Sequence, residues 1–243
     1  MILLSLGLLA FAVADLIRWT PGGVSRARDS VSIAGSAIST AALAALGGMS
    51  LPATLAVGVG AAVASGVWVG FYRAPFAGRP GGSLGWVLAV LLVLLAVSSS
   101  ADPVGGSLEE WYSNLPFGFV GSVRVDQFVL GLSGGLFLMA TTNRLVRLVL
   151  DAASVSWQRG ESVLKGGRVL GPLERLIIGA IVIAGDPAAA AIIVTAKGLL
   201  RFPEIRNEGK AHGPDAVTEY FLIGTFTSLA LAAAVAVLVL AAG

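Results

Sequence analysis

The stretch from Gly167 to Phe202 reads GRVLGPLERLIIGAIVIAGDPAAAAIIVTAKGLLRF and combines long apolar runs with charged residues. It is apolar enough for a membrane interior, yet beyond Arg168 at its start it carries five more charged residues: Glu174, Arg175, Asp186, Lys197 and Arg201. A charge inside a membrane segment costs about 2.5 to 3.5 kcal/mol on insertion scales, so such residues are paired or face a polar cavity. The stretch therefore predicts a membrane-embedded segment whose charges have a structural or functional role.

A helical hairpin that turns at Asp186-Pro187 accommodates these residues best. Proline fits the first turn of a helix, and aspartate just before it is a good N-cap. Glu174 lies twelve residues before Asp186, and Lys197 lies eleven after it. At 1.5 Å per residue both are about 17 Å from the turn, so we expect them to meet at similar depth.

The composition places the whole chain among integral membrane proteins. Its 243 residues are 56% hydrophobic and only 12% charged, with a mean hydropathy of +0.88. A soluble domain would carry about 25% charged residues. We therefore predict an all-α polytopic helix bundle that forms a single transmembrane domain over residues 1–243, with a weaker division into halves at 1–101 and 125–243.

Several classes of chemistry find no support in the sequence. There is no cysteine and one histidine, His212, so thiolate or histidine metal sites and a serine-histidine triad are not predicted. Neither a P-loop nor a strand-flanked G-x-G-x-x-G motif occurs. No catalytic residue, metal or cofactor is assigned, and enzyme activity is not expected. The net charge of +2 follows from loop bases rather than from nucleic-acid binding.

Apolar runs outside the hairpin predict six further helices. Their expected bounds are Met1–Ile17, Ser30–Gly48, Leu51–Phe71, Ser83–Ala101, Val125–Leu150 and Glu219–Leu240. The first lacks the basic start of a signal peptide, so we interpret it as a membrane helix. The Leu/Val-rich centre of the fourth suggests lipid exposure. With both hairpin arms the total is eight, or six if residues 168–202 form a re-entrant pair.

Basic loops predict the orientation. Residues 18–30, 72–82, 144–168 and 201–217 hold nearly all lysines and arginines, whereas 102–123 holds none. Eight helices with both termini outside place the four basic loops in the cytoplasm, as the positive-inside rule requires. The expected location is the cytoplasmic membrane, with multiple crossings and membrane lipids as partners.

Two further segments carry recognisable patterns. Gly66 and Gly70, with Ala62 one step earlier, form a small-residue face that predicts close helix packing in the bundle or between protomers of a homo-oligomer. The interval Asp102–Arg124 is acidic and aromatic. We favour a loop whose aromatic side chains rest at headgroup depth over a re-entrant or amphipathic surface segment.

The pair Glu174 and Lys197 is the first candidate site. A close opposite charge keeps both groups ionised in a low-dielectric interior. One interpretation is a structural ion pair that pins the hairpin, and we favour it. The other is a site for a proton, an ion or a polar substrate head group.

Arginines near the cytoplasmic end are the second candidate. Arg175 and Arg201 could gather with Arg168, Arg144 and Arg147 at one depth, where clustered arginines favour phosphate. Snorkelling helix ends look the same, and we favour that simpler explanation.

Three more charges lie at helix ends. Asp15 and Arg18 close the first helix, and Glu219 opens the last one. A carboxylate in a first turn is favoured by the helix dipole, so Glu219 needs no function.

Three motifs carry a resemblance. They are G-R-V-L-G-P-L-E-R-L (Gly167–Leu176), A-K-G-L-L-R-F-P-E (Ala196–Glu204) and E-Y-F-L-I-G-T-F-T-S (Glu219–Ser228). This region resembles uncharacterised bacterial membrane proteins, including the C-terminal part of proteins with the domain of unknown function DUF3307 and actinobacterial relatives. The resemblance covers the last third of the chain, implies a shared structure and carries no activity over.

Two functions remain in view. Transport or translocation of an ion, or of an anionic or lipid-linked solute, would use a polar pathway lined by Glu174, Arg175, Lys197 and Arg201. The alternative is a structural or scaffold subunit that binds partner helices or lipids through its glycine faces. An enzyme acting on a lipid-linked phosphate is a weaker third hypothesis, because no D-x-x-D pair is present.

Overall fold

The structure is a computed structural model that describes residues 1–19, 25–71, 80–98, 103–118, 120–153, 167–186, 188–199 and 214–243. Within these ranges the fold is all-helical. The helices are α1 Ile2–Arg18, α2 Arg26–Leu46, α3 Leu51–Gly70, α4 Pro80–Ser98, α5 Gly106–Ser113, α6 Val125–Ala140, α7 Thr142–Ala152, α8 Gly167–Ile183, α9 Ala188–Leu199 and α10 Pro214–Ala241.

Several of these helices suit a membrane. Four of them, α2, α3, α4 and α10, are long and apolar enough to cross one, and α6 with α7 makes a fifth if the bent pair counts as one span. The expectation of a helical, membrane-embedded protein is confirmed at this level. Helices α1 and α8 have 17 residues each, slightly fewer than the roughly 20 that a straight crossing needs.

Helix α1 forms the centre of the bundle. It is buried on nearly all sides and packs against α2, α3, α4 and α6. Phe11 is fully buried and meets the Trp68 ring edge-on, with ring centroids 5.8 Å apart. A helix that is apolar all round is stable only when it is surrounded, which accounts for its position.

Helix α2 is polar inside and apolar outside. Ser32, Ser36 and Thr40 are fully buried at four-residue spacing, whereas Val31 and Ile38 are 58% and 69% exposed. The Thr40 hydroxyl donates to the Ser36 carbonyl at 2.8 Å, so its polarity is satisfied within the helix. Small hydroxyl residues at helix contacts and large aliphatic residues outside are typical of helices packed in lipid.

Helix α4 shows the same outward apolar face. Leu88, Leu92, Val93 and Val97 are each more than half exposed, in agreement with the predicted lipid exposure. The helix is described over Pro80–Ser98, so it begins three residues before the predicted Ser83, and the predicted end at Ala101 lies outside the described residues. Ser98 joins α4 to α1, because its Oγ accepts a hydrogen bond of 2.9 Å from the backbone N–H of Leu4.

The predicted Gly66–Gly70 face is not a tight helix contact in the described residues. A Cβ at Gly66 would lie 3.8 Å from Ile33, and one at Gly70 would meet nothing within 4 Å. Among the α3 glycines, a Cβ at Gly58 would make a closer contact with α2, 3.3 Å from Ala41. Close packing of the Gly66–Gly70 face inside the bundle is therefore not supported, and its packing between protomers stays a prediction.

Two other boundaries differ from prediction. Helix α2 begins at Arg26 rather than Ser30, because Ser25 is its N-cap and accepts a 3.2 Å hydrogen bond from the backbone N–H of Arg28. The interval predicted as a loop contains helix α5. Its Tyr112 is buried against Phe128 and donates to the Val123 carbonyl at 2.8 Å. Burial raises the pKa of this hydroxyl above its ordinary value of 10.0, so it remains a donor.

One end of the bundle brings distant segments together. The amino group of Met1 lies 3.9 Å from an Asp126 carboxylate oxygen, and Arg124 donates to the carbonyl of Gly243 at 3.1 Å. At the same end Gly48 and Gly106 both have positive φ, and their backbones are close enough that a Cβ on Gly106 would lie 2.9 Å from Gly48. Met1 and Gly243 therefore lie at the same end of the bundle.

Helices α6 and α10 pack closely at Gly134. A Cβ there would lie 2.5 Å from Cγ1 of Val235, so Gly134→Ala forces the helices apart or moves that side chain. We expect a loss of about 1 to 3 kcal/mol in unfolding free energy, which Val235→Ala should partly restore. Gly131→Ala is the control, since its Cβ would sit 4.0 Å from Val239. Thermal unfolding in detergent compares wild type with Gly134→Ala, with the double variant Gly134→Ala/Val235→Ala and with Gly131→Ala. Equal losses at Gly134 and Gly131 would contradict the prediction.

Candidate functional site

Buried polar side chains gather at the break between α6 and α7. The two helices meet at Thr141 with a bend of 52°. Thr141 and Thr142 are fully buried, and the Thr142 hydroxyl donates to the Phe137 carbonyl at 3.3 Å. Thr141 keeps right-handed helical backbone angles, φ −81° and ψ −34°, so the chain is kinked here without being unwound. Sharp kinks of this kind arise where a side chain enters the hydrogen-bond ladder of a helix. The predicted continuous helix Val125–Leu150 was therefore wrong at this point.

Arg175 of α8 binds at the break. Its Nη1 donates to the Leu138 carbonyl at 3.2 Å and to Asn143 Oδ1 at 2.9 Å, and its Nε donates to Ser228 Oγ at 2.6 Å. The residue is only 6% exposed. One guanidinium thus connects α6, α7, α8 and α10, because its donors diverge from a rigid plane.

The guanidinium has capacity left. Nη2 makes no hydrogen bond to any described residue and lies 3.6 Å from where a Cβ of Gly171 would be. Among the described residues no carboxylate oxygen lies within 4.0 Å of Arg175. The three acceptors of Arg175 are all neutral, so none of them offsets its charge.

Glu174 and Lys197 form an ion pair beside Arg175. Lys197 Nζ contacts Glu174 Oε2 and so joins α8 to α9, with both side chains about four-fifths buried. At the hairpin turn, Asp186 Oδ1 accepts a 2.9 Å hydrogen bond from the backbone N–H of Ala189, the capping role that its position predicts. Asp186 is exposed there and is not part of the buried pair.

A small cavity adjoins these charges. It has a volume of about 10 Å³, which is about the room that one water-sized ligand needs. Its polar lining is formed by Glu174, Arg175, Lys197, Thr225 and Ser228, and its apolar lining by Ile178, Ile193, Val194 and Leu229. The sequence analysis did not identify Thr225, Ser228 or Asn143 as site residues, because a neutral polar residue in an apolar helix costs little to bury and so gives no local signal of a site.

Arg144 belongs to a second cluster. Its guanidinium lies 3.6 Å from the centroid of the Trp68 ring, donates to the Trp68 carbonyl at 3.1 Å and comes within 4.0 Å of Asp15 Oδ1. The Trp68 indole N–H donates to the other Asp15 oxygen at 3.0 Å. The cluster joins α7 to α1 and α3, and its signal in the sequence was an aspartate inside the apolar first helix.

A third buried contact lies nearby. Arg18 contacts the carboxylate of Asp29 and thereby joins α1 to α2. Asp29 is 3% exposed and was not predicted as a site residue, because the second helix was expected to begin one residue later, at Ser30. The missed signal was Ser25, the N-cap of the helix, four residues before Asp29.

The other predicted site residues lie apart from the cavity or outside the described ranges. Arg147 is exposed on α7. Glu219 is exposed and lies in the second turn of α10, since that helix begins at Pro214, so the predicted first-turn position was wrong. Arg201 and the side chain of Arg168 fall outside the described part of the chain.

A larger groove exists elsewhere on the bundle. It has a volume of about 660 Å³ between α1, α3 and α4, and its lining includes Gly7, Phe11, Gly60 and Trp86. The lining is almost entirely apolar, so nothing in it would orient or select a polar ligand. The small polar cavity is therefore the better candidate site despite its size.

No metal centre is apparent in the described ranges, where no three His, Cys, Asp or Glu side chains are close enough to hold an ion. Comparison of the chain with protein-family models, with curated proteins and with solved structures finds no match. The resemblance of the C-terminal motifs to uncharacterised bacterial membrane proteins thus remains a prediction. The polar cavity beside Glu174, Arg175 and Lys197 is the feature that bears on function.

Proposed function

We propose that this protein transports an ion or a small anionic solute across the membrane through the polar site of Glu174, Arg175 and Lys197. The observation that carries the proposal is Arg175: a charged side chain, 6% exposed, bound by neutral acceptors at a break in a helix. Burying a charge costs several kcal/mol, and intramembrane charges mark substrate or ion pathways. Broken helices flanking a central site are a recurrent feature of transporters.

The topology that we propose has eight crossings: α1, α2, α3, α4, the bent pair α6–α7, α8, α9 and α10. Both ends of the chain would face the outside of the cytoplasmic membrane. The proximity of Met1 to Asp126 and of Gly243 to Arg124 supports this arrangement, because an even number of crossings places both ends of the chain on one side of the membrane.

A re-entrant hairpin is the alternative for α8 and α9. At 1.5 Å per residue their 17 and 12 residues span about 26 and 18 Å, less than the roughly 30 Å of a hydrocarbon core. Six crossings would then remain, and the Glu174–Lys197 pair would still lie within the membrane. Either topology leaves the proposed pathway at the same residues.

Reconstitution into proteoliposomes tests the transport proposal. Glu174→Gln and Lys197→Met each alter the charge of the site, and we expect each to change the flux of the transported ion by about tenfold or more. Arg124→Gln, an exposed arginine at the far end of the bundle, is the control and should match wild type. If folded Glu174→Gln and Lys197→Met left every measured flux unchanged, the proposal would be wrong.

A structural subunit is the second candidate. Lys197 neutralises Glu174, and Arg175 connects four helices, which a purely structural role also explains. This function predicts that the same substitutions lower stability without affecting any flux, and that partner helices copurify with the protein. Stability and flux measured on one set of variants therefore separate the two functions.

A further inference from the structure

The charge balance around the small cavity determines the sign of its ligand. Among the described residues that line it, Arg175 and Lys197 contribute two positive charges and Glu174 one negative charge, so the sum is +1. The carboxylate is already in contact with Lys197 Nζ. A cation entering the cavity would meet net repulsion, whereas an anion would offset the buried charge of Arg175.

Hydrogen-bonding chemistry agrees with this sign. Guanidinium and ammonium groups are donors without acceptor capacity, and the Thr225 and Ser228 hydroxyls can each donate a proton. Nη2 of Arg175 has no hydrogen-bond partner among the described residues. Ser228 Oγ already accepts a hydrogen bond from Arg175 Nε, which leaves the Ser228 hydroxyl proton free to be donated. The lining thus offers four donor side chains and a single, occupied carboxylate.

The volume limits the ligand. About 10 Å³ is the room of one water molecule, so a halide, with a radius larger by about a few tenths of an ångström, requires a small outward shift of lining side chains such as Lys197 or Thr225, whereas a phosphate or an organic acid requires movement of the helices. The apolar residues Ile178, Ile193 and Leu229 contribute to the same lining, and Arg175 is only 6% exposed. Electrostatic attraction is therefore stronger here than at a fully solvated surface.

We propose that this cavity binds a monovalent inorganic anion of halide size between the guanidinium of Arg175 and the ammonium of Lys197, with the Thr225 and Ser228 hydroxyls as further donors. The assignment deepens the transport function proposed above and rests on it for its biological use. Binding itself is independent of transport and is measured separately.

Glu174 competes with the anion for Lys197. Lys197 Nζ contacts the Glu174 carboxylate, and a bound anion would share or replace that contact. Neutralising Glu174 raises the local charge from +1 to +2, and neutralising Lys197 lowers it to 0. The two partners of one ion pair should therefore have opposite effects on anion affinity, which a purely structural pair would not produce.

Equilibrium binding of radioactive chloride to the purified full chain in lipid nanodiscs tests the proposal. We expect saturable binding to wild type, about tenfold tighter binding to Glu174→Gln and at least about tenfold weaker binding to Lys197→Gln, after allowance for solvent screening of this partly buried pair. Thr225→Val removes a hydroxyl without changing charge and should weaken binding several-fold. Arg124→Gln is the control and should bind as wild type does.

Several outcomes would overturn the proposal. These are absence of saturable chloride binding to folded wild type, equal effects of Glu174→Gln and Lys197→Gln, or competition by sodium rather than by bromide. If one charge variant does not fold, the other charge variant and Thr225→Val still test the proposal, because each has its own expected change in chloride affinity. Chloride binding without flux in proteoliposomes would refute transport alone, and flux of a cation without chloride binding would refute the anion site alone.

Discussion

Asp15→Asn is expected to lower the free energy of unfolding by about 3 kcal/mol. Removing one partner of a buried ion pair costs about 3 to 5 kcal/mol, because the remaining charge loses the group that offsets it. Arg144 would lose the carboxylate of Asp15: its side chain is 12% exposed and that of Asp15 5%, so solvent screens the pair little. The separation of 4.0 Å between Arg144 Nη1 and Asp15 Oδ1 favours the lower end of the range.

The asparagine side chain keeps the shape of aspartate and can still accept the hydrogen bond from the Trp68 indole, so the substitution isolates the charge. Denaturation in mixed detergent micelles measures the effect. Asp151→Asn, an exposed carboxylate at the end of α7, is the matched control and should change stability by no more than about 0.5 kcal/mol. Adding Arg144→Met to Asp15→Asn should recover part of the loss, because the guanidinium that loses the Asp15 carboxylate is then removed as well. A double variant less stable than the sum of both single losses would contradict the pairing.

Arg175→Ala should destabilise the protein by at least about 2 kcal/mol. The substitution removes three hydrogen bonds from a charged donor, each worth about 1.5 to 3 kcal/mol, and relief of the cost of burying the charge offsets part of that sum. It also leaves the Leu138 carbonyl without this donor at the helix break. The same denaturation experiment measures the loss.

Arg175→Lys separates charge from geometry. Lysine keeps the charge but lacks the planar fork that reaches Leu138, Asn143 and Ser228 together, so we expect it to recover less than half of the loss. The control is Arg147→Ala, an exposed arginine on α7. If Arg175→Ala were as stable as wild type, other contacts would hold the break, and the connecting role of the guanidinium would be refuted.

Local patterns predicted the helices well and their ends less well. Long apolar runs identified α1, α3 and α10, because a membrane helix is specified by length and hydropathy alone. The start of α2 was missed by four residues, since a single hydroxyl at Ser25 accounts for it. Glu174 and Lys197 were placed at equal distances from the hairpin turn by simple counting, and the structure brings their charged atoms into contact.

Contacts between segments far apart in the chain could not be predicted from the sequence. The break at Thr141 carries no proline or glycine, and Arg175 reaches the Leu138 carbonyl from 37 residues away. Asn143, Thr225 and Ser228 are neutral, so no local rule marks them as neighbours of a charge. Hydropathy also gave no reason to expect that the first helix, rather than the charged hairpin, forms the centre of the bundle.

The order of residues at the break has a mechanical consequence. Asn143 binds Arg175, and its neighbour Arg144 binds Trp68, so one turn of α7 engages helices on two different sides of the bundle. Consecutive helical residues point about 100° apart, and their relative direction is fixed by the backbone. A rotation of α7 about its axis that moved Asn143 away from Arg175 would therefore also shift the backbone of Arg144 relative to the Trp68 ring.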